Sequence, residues 1–347
     1  MTSLPIPIVA AMMLALLAAS NHQQLSQNSS GKLFSLVLYT YAASMLFIGL
    51  RWSLDMLALM GTAAALTVVS TVLLYLAFRS LGRQPVFVLQ EDWMHLLPVL
   101  LMVGLPWFVL ELVDPILVLI KIYYSVLLIK LARDAPVSLQ LTQIDCLPNS
   151  ERALWAAVVL LIFSALIDVV IAVDFILYQG IHAASLVGIV NLIGVLLIGW
   201  AIVQAGRGTV ENETGAASNG VQPNTRSKVE EEPRDDNGGV VLLEQLNTLL
   251  IEERLYADTN LNLQKIARKA GVPSRTVSRT INAHMKQNVS QWVNNARVNA
   301  VCEVLQDKTI SITRAMEEVG FLTKSNFNRE FKRVKGCSPS EWRESQQ

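Results

Sequence analysis

Seven long apolar stretches crowd the first 205 residues of this 347-residue chain: Leu4–Ala19, Leu33–Leu50, Leu54–Phe78, Leu96–Leu112, Pro115–Leu131, Ala153–Leu177 and Ala184–Val203. A helix rises about 1.5 Å per residue, so a stretch of roughly 18 residues just crosses a hydrocarbon core about 30 Å thick. With no water in that core, backbone N–H and C=O groups must pair within the segment, and continuous apolar runs do this as helices. Composition agrees, since 52% of residues are apolar and 16% charged. Both values lie outside the range of an ordinary soluble domain. The expected fold is all-α, with a seven-span transmembrane helical bundle in residues 1–205. The first and fifth stretches are among the shortest. Ala18 and Ser20 resemble a signal-peptide cleavage site, but the positive segment that should precede one is lacking.

Charge places the loops. With seven spans and the N-terminus outside, the inner segments carry Lys32, Arg79, Arg83, Lys130, Arg133, Arg152 and Arg207, whereas the outer loops carry only Arg51. That is the positive-inside bias, and it leaves the C-terminus in the cytoplasm. The expected location is a bacterial inner membrane, crossed several times, with a periplasmic N-terminus. Trp52 and Tyr178 fall at the outer boundary, and Trp93, Trp155 and Trp200 near the inner one, as an interfacial belt requires.

Polar residues within the apolar stretches include Lys121 in the fifth, Asp168 and Asp174 in the sixth, and Asn191 in the seventh, with Glu111 and Asp114 at the outer turn between the fourth and fifth. A charge in hydrocarbon costs several kcal/mol, so these groups should face the bundle interior or a cavity. Asp168 and Asp174 do not share a helix face, and Lys121 is the natural partner of Asp168. Two readings stand side by side: a signal-binding site, or polar glue between helices with Asp174 reaching the interface.

The composition changes abruptly at Gly206. Residues 206–239 have almost no apolar side chains and carry 4 Lys/Arg against 7 Asp/Glu. Such a segment cannot bury enough surface to fold and reads as a disordered acidic tether. Its 34 residues would span roughly 30 Å root-mean-square as flexible coil. Residues 240–347 carry 16 Lys/Arg against 11 Asp/Glu, so the positive excess sits in the last domain.

That domain reads as two helix–turn–helix units in tandem. In the first, Asn262 caps a helix that buries Leu263, Ile266, Ala267 and Ala270, and Gly271 supplies the turn. The following helix buries Val277 and Ile281 and turns Arg275, Thr276, Ser278 and Arg279 outward. In the second unit Ile312, Ala315, Met316 and Val319 form the buried stripe, with Gly320 as the turn. Thr323 then caps a helix that buries Phe327 and Phe331 and exposes Lys324, Ser325, Asn328 and Arg329. Arginine with small hydroxyl and amide groups can read base edges in a major groove while neighbouring cations hold phosphates. An amphipathic helix over Val240–Tyr256 should precede the first unit, and a second over Gln291–Gln306 should join the two.

The segment GFLTKSNFNREFKRVKGCSPSEWR (Gly320 to Arg343) resembles the AraC/XylS-type DNA-binding signature, and VSRTIN followed by WVNNARV is similar to the branch of that family often attached to membrane domains. The resemblance covers the last third of the chain. It implies that the spacer helix holds two recognition helices for successive major grooves, about 34 Å apart. The sequence departs from the pattern at Pro273 and Ser274, at Lys286 where a turn glycine is common, and at Lys335 where an aromatic is common.

Together these readings define a membrane-embedded one-component transcription regulator: residues 1–205 as sensor, 206–239 as linker, 240–347 as DNA-binding domain. The rival is a transporter or receptor with an accessory DNA-binding tail, and a third course is proteolytic release of the soluble part. Expected partners are double-stranded DNA, the lipid bilayer and a small-molecule or membrane signal; a second copy of the chain and RNA polymerase are further candidates. Because a loose tether transmits rigid-body motion poorly, control through oligomerisation is expected. No catalytic motif, metal-ligand spacing or cofactor motif is found, and Cys146, Cys302 and Cys337 are too few and scattered for a disulfide framework.

Overall fold

The computed structural model describes residues 6–26, 28–54, 59–83, 88–109, 112–179, 181–183 and 236–346. The chain divides into two compact units, one drawn from Met1–Thr142 and Cys146–Thr209, the other from Gln143–Asp145 and Val210–Gln347. Every regular element in the described residues is helical.

In the first unit, α1 (Ile6–Leu25), α2 (Ser29–Leu54), α3 (Leu59–Arg79), α6 (Val113–Arg133) and α7 (Leu147–Tyr178) are long and apolar enough to cross a membrane. Helix α2 packs on α1 and α3, and α6 packs on α3 and α7. Leu14, Phe34, Leu38, Val68, Phe78, Tyr124, Leu128 and Leu154 share one buried cluster. Small residues let backbones approach, as lipid-facing bundles require: a Cβ on Gly49 would lie 2.5 Å from Ile8 Cγ1. Large apolar side chains also point outward, among them Leu16, Leu119, Val159, Leu166 and Ile176. A surface this apolar needs a non-aqueous neighbour.

The fourth apolar stretch departs from expectation. Instead of one helix over Leu96–Leu112, the chain forms α4 (Leu89–Asp92), a 3-10 turn at Trp93–Leu96, α5 (Leu97–Gly104) and another 3-10 turn at Leu105–Trp107. Pro98 enters the first turn of α5, and Pro106 follows its end. Neither can donate a backbone hydrogen bond, and a ring at position 106 clashes with the carbonyl one turn back. The 8 residues of α5 rise only about 12 Å, well short of a bilayer core. Five continuous helices therefore stand where seven were expected among the sequence stretches, one stretch is broken, and Ala184–Val203 lies outside the described residues.

The second unit contains α8 (Asp236–Ile251), α9 (Leu263–Ala270), α10 (Ser274–Met285), α11 (Val289–Val304), α12 (Ile312–Glu318), α13 (Lys324–Lys335) and α14 (Pro339–Ser345). Helix α8 starts four residues earlier than composition suggested and takes in Gly238 and Gly239. The reason is a close approach: a Cβ on Gly239 would lie 2.5 Å from His284 Nε2. The remainder of the expected linker lies outside the described residues.

Most helix starts in this unit carry a side-chain cap. Asn262 accepts from the Lys265 N–H at 2.9 Å, Ser311 from Arg314 and Thr323 from Asn326. Asn288 with Gln291, and Ser338 with Glu341, form reciprocal capping boxes. Helix α10 is the exception, because Pro273 at its N-cap has no side-chain acceptor to offer. Gly320, at φ 91°, has no substitute: a Cβ there would lie 2.7 Å from the Ala257 carbonyl oxygen.

Lys286 adopts φ 53° at the end of α10, a left-handed conformation that an L side chain enters at a cost of about 1–2 kcal/mol. Lys286→Gly relieves that strain and loses part of the gain to unfolded-chain entropy. The net expectation is a stabilisation of about 0.5–1 kcal/mol, read as a higher denaturant midpoint of the second unit by pulse proteolysis of the full chain. A lower midpoint would show that the lysine is held there by contacts worth more than the strain.

Candidate functional site

The sequence nominated two sets of residues, and the structure gives each a definite setting. In the second unit, α9 and α10 form the first helix–turn–helix, and α12 and α13 the second. Between them runs α11, whose Val289, Trp292, Val293, Val298 and Val301 are buried. Trp292 Nε1 donates to Asn247 Oδ1 at 3.1 Å, and Gln245 Nε2 donates to the Ala270 carbonyl at 3.2 Å. These bonds fix α8 against α11 and against the end of α9. On the far side, an edge-to-face series of rings links Phe321, Phe327, Phe331 and Trp342, with centroids 5.3, 5.6 and 6.2 Å apart.

On α10 the side chains of Arg275, Thr276 and Arg279 are exposed, but Ser278 is buried at 5% exposure. Its position follows from helix geometry, because residue 278 lies one turn from Asn282 and Ile281 and beside Val277, on the edge of the buried stripe. Ser278 is therefore buried at the edge of the stripe and does not face outward as expected. On α13, Lys324, Ser325, Asn328 and Arg329 are all exposed. They are not equivalent. Arg329 Nε donates to Glu330 Oε1 at 3.1 Å, and its Nη2 donates to Asn326 Oδ1. Arg333 bonds Glu330 Oε2 at 2.8 Å and Asn295 Oδ1 at 2.6 Å, and Lys335 bonds Asn299 Oδ1 at 3.0 Å. The basic side chains of the later turns of α13 thus pin it to α11, whereas Lys324, Ser325 and Asn328 occupy the exposed first turns, where a recognition helix meets base edges.

The residue that sequence reading passed over is Arg297. It lies on the buried stripe of α11, in step with Val293 and Val301, at 1% exposure. Its Nε donates to the Tyr256 carbonyl at 2.7 Å and its Nη2 to the Asp258 carbonyl at 3.1 Å. Nη1 donates to Asp145 Oδ1 at 2.5 Å, and the guanidinium lies 5.5 Å from the centroid of the Phe321 ring. Burial pulls the Arg297 pKa below its ordinary value, and the Asp145 carboxylate opposes that shift. A charged residue on an apolar helix face was the available signal. Its carboxylate lies 152 positions away in sequence, beyond any local pattern.

In the first unit, Lys121 Nζ lies 2.5 Å from Asp168 Oδ2 and donates to Ser164 Oγ at 2.8 Å. A cavity of about 40 Å³ adjoins them, lined in part by Tyr41, Thr67, Ser70 and Thr71. That space admits a few waters and falls far below the roughly 300 Å³ of a drug-sized pocket. Asp174 is buried and accepts from His182, at 2.9 Å from Nδ1 and 3.1 Å from the backbone N–H. Asn191 lies outside the described residues.

A tandem of helix–turn–helix units on a shared spacer helix, with a basic exposed face on each second helix, is the arrangement of a helix–turn–helix DNA-binding domain. Residues 266–345 match a family model described as a helix-turn-helix domain, and the C-terminal domain is of the AraC type. The chain is 33% identical over 94 residues to a transcriptional activator, NphR, of a Rhodococcus species, covering 27% of this chain and 28% of that protein. It is 31% identical over 101 residues to an uncharacterized HTH-type transcriptional regulator, YfiF, of Bacillus subtilis, covering 28% of this chain and 32% of that one. The chain therefore spans less than a third of either relative's length. No solved structure matches it.

Two outcomes follow. Arg279→Ala should cost about 1–3 kcal/mol of DNA affinity and relax preference at one base pair, whereas Arg333→Ala should mainly lower the heat stability of the domain. Titrations at several salt concentrations separate these; equal loss on all sequences after Arg279→Ala would make it a phosphate contact. In the first unit, Asp168→Leu strands a buried Lys121 and should destabilise by about 3–5 kcal/mol. The double change Asp168→Leu with Lys121→Met should recover most of that loss in thermal unfolding of the detergent-solubilised protein, and a double mutant no better than the single would refute the pairing as the cause.

Proposed function

We propose that the chain is a membrane-embedded one-component transcription regulator: its C-terminal domain binds DNA sequence-specifically, and its helical first unit is a sensor in the inner membrane. The observation that carries this reading is the pairing in one chain of two helix–turn–helix units with five helices long and apolar enough to span a bilayer. The buried Lys121–Asp168 pair supports a signal-responsive centre among those helices, since ionisable groups at such depth are costly unless they work. The relatives' printed names, a transcriptional activator and a transcriptional regulator, support the DNA-binding half.

Parity supports a further crossing after α7. Gln143–Asp145 belong to the same compact unit as the helix–turn–helix elements, so they share an aqueous compartment with them. The chain between Asp145 and Asp236 must then cross the bilayer an even number of times. Helix α7 supplies one crossing, and Ala184–Val203, outside the described residues, is the apolar segment available for the second. The inward charge bias of Lys130, Arg133 and Arg152 puts that shared compartment in the cytoplasm, where DNA is.

Alkaline phosphatase fused after Ala183 should be active, as it would be exported, while a fusion after Gln347 should be inactive and a fluorescent protein there should shine. The same activity at both junctions would remove the second crossing, and the regulator reading with it.

A further inference from the structure

Gln143–Asp145 are the residues of the second unit that sequence order would not assign to it. They come from the connection between α6 and α7, starting ten residues past the end of α6 at Arg133 and ending two before the start of α7 at Leu147. Gln143 lies in bridge geometry, and Ile144 and Asp145 turn toward the start of α7. The Ile144 N–H donates to the Leu261 carbonyl at 2.9 Å, and Gln143 forms an isolated antiparallel bridge with Asn262. Ser290 Oγ donates to the Ile144 carbonyl at 3.1 Å, and Gln143 Nε2 donates to Asn260 Oδ1 at 2.9 Å. Backbone pairing of this kind supplies affinity, and a side-chain pocket supplies selection.

The pocket is for a carboxylate. Asp145 Oδ1 accepts from Arg297 Nη1 at 2.5 Å and from Asn326 Nδ2 at 3.0 Å, while Oδ2 accepts from the Leu322 N–H at 2.7 Å. Its side chain is 2% exposed. One carboxylate therefore joins three parts: the spacer helix α11, the turn of the second helix–turn–helix, and its recognition helix α13. If Asp145 left, Arg297 would keep two carbonyl partners but lose its counter-charge, and the donors at Leu322 and Asn326 would lose their acceptor. Such losses inside a low-dielectric core are resolved by movement of the groups concerned.

Resting on the regulator reading, we propose that Gln143–Asp145 is a built-in ligand of the DNA-binding domain, and that the second helix–turn–helix is set for groove reading only while this tripeptide is seated. The docking site takes one bridged residue followed by a turn that delivers an aspartate carboxylate, and the occupant is the chain's own α6–α7 connection. Two residues span at most about 7 Å, so a larger displacement of the start of α7 unseats Asp145. The seat thus links movement of the apolar helices to the geometry of α13.

The test uses full-length protein in lipid nanodiscs and the DNA sequence enriched by selection with the parent. Gln143→Cys and Asn262→Cys are introduced together after Cys146, Cys302 and Cys337 are changed to serine. Directly opposed antiparallel residues have Cα atoms within disulfide range, so mild oxidation should form an intramolecular disulfide and preserve affinity relative to the reduced form of the same protein. Asp145→Asn, nearly the same shape, should lower affinity by about tenfold, equivalent to about 1.4 kcal/mol. Adding Asp145→Asn to the cysteine pair should give a protein that regains affinity on oxidation, which separates loss of the seat from loss of the fold. Absence of the disulfide, unaltered affinity after Asp145→Asn, or failure of oxidation to restore binding would each overturn the proposal. A parent that enriches no sequence would instead defeat the regulator reading, while disulfide formation still reports on the seat.

Discussion

A guanidinium buried to 1% exposure sets the terms for the whole second unit. Removing Arg297 from water carries a desolvation penalty of several kcal/mol, repaid only if its donors are matched and its charge is neutralised. The surrounding architecture meets those conditions. The 3-10 turn at Leu255–Ala257 and the residue after it present the Tyr256 and Asp258 carbonyls, α11 carries the arginine, and Asp145 brings the counter-charge. Glycine at position 320 follows from the same crowding, because the Tyr256 and Ala257 carbonyl oxygens lie where a Cβ would stand. Phe321, beneath the guanidinium, begins the ring series that carries the order on to Trp342.

From that centre the two helix–turn–helix units are held by different means. The first is fastened by α8 through hydrogen bonds from Trp292 and Gln245, and its recognition helix begins at Pro273 without a side-chain cap. The second is fastened by polar bonds from α13 itself to Asn295 and Asn299, with Thr323 as its cap. The bonds from α13 to α11 thus come from its later turns, and Lys324, Ser325 and Asn328 at its beginning are exposed. Arginines that look alike in the sequence differ in their settings: Arg333 is tied to α11 and Arg329 to its own helix.

Much of this was legible because it obeys short-range rules. Caps at Asn262 and Thr323, left-handed turns at Gly271 and Gly320, and the stripes of Ile266, Val277, Ala315 and Phe327 all follow from spacing and backbone chemistry. The apolar stretches gave the long helices by length alone. What failed were places where a distant neighbour decides. Ser278 sits on the rim of its stripe, where period alone cannot assign a face. Gly238 and Gly239 read as linker, yet His284 makes Gly239 a point of close approach. Leu96–Leu112 read as a span because hydropathy averages over Pro98 and Pro106, which act one residue at a time. Asp145 carried no pattern of its own, since its meaning comes from a pocket assembled by residues 256 to 326.

The seated tripeptide also revises the physics of transmission. A flexible tether alone would absorb small helix movements, and bringing two chains together would then be the natural means of control. A second connection of two residues between Asp145 and α7 has no such slack. On the proposal above, a movement of the start of α7 must either carry Asp145 along or break three hydrogen bonds to it. Because packed cores are bistable rather than elastic, that choice is discrete. On this reading each chain can switch by itself, and pairing of two chains adds valency at the DNA instead of serving as the switch.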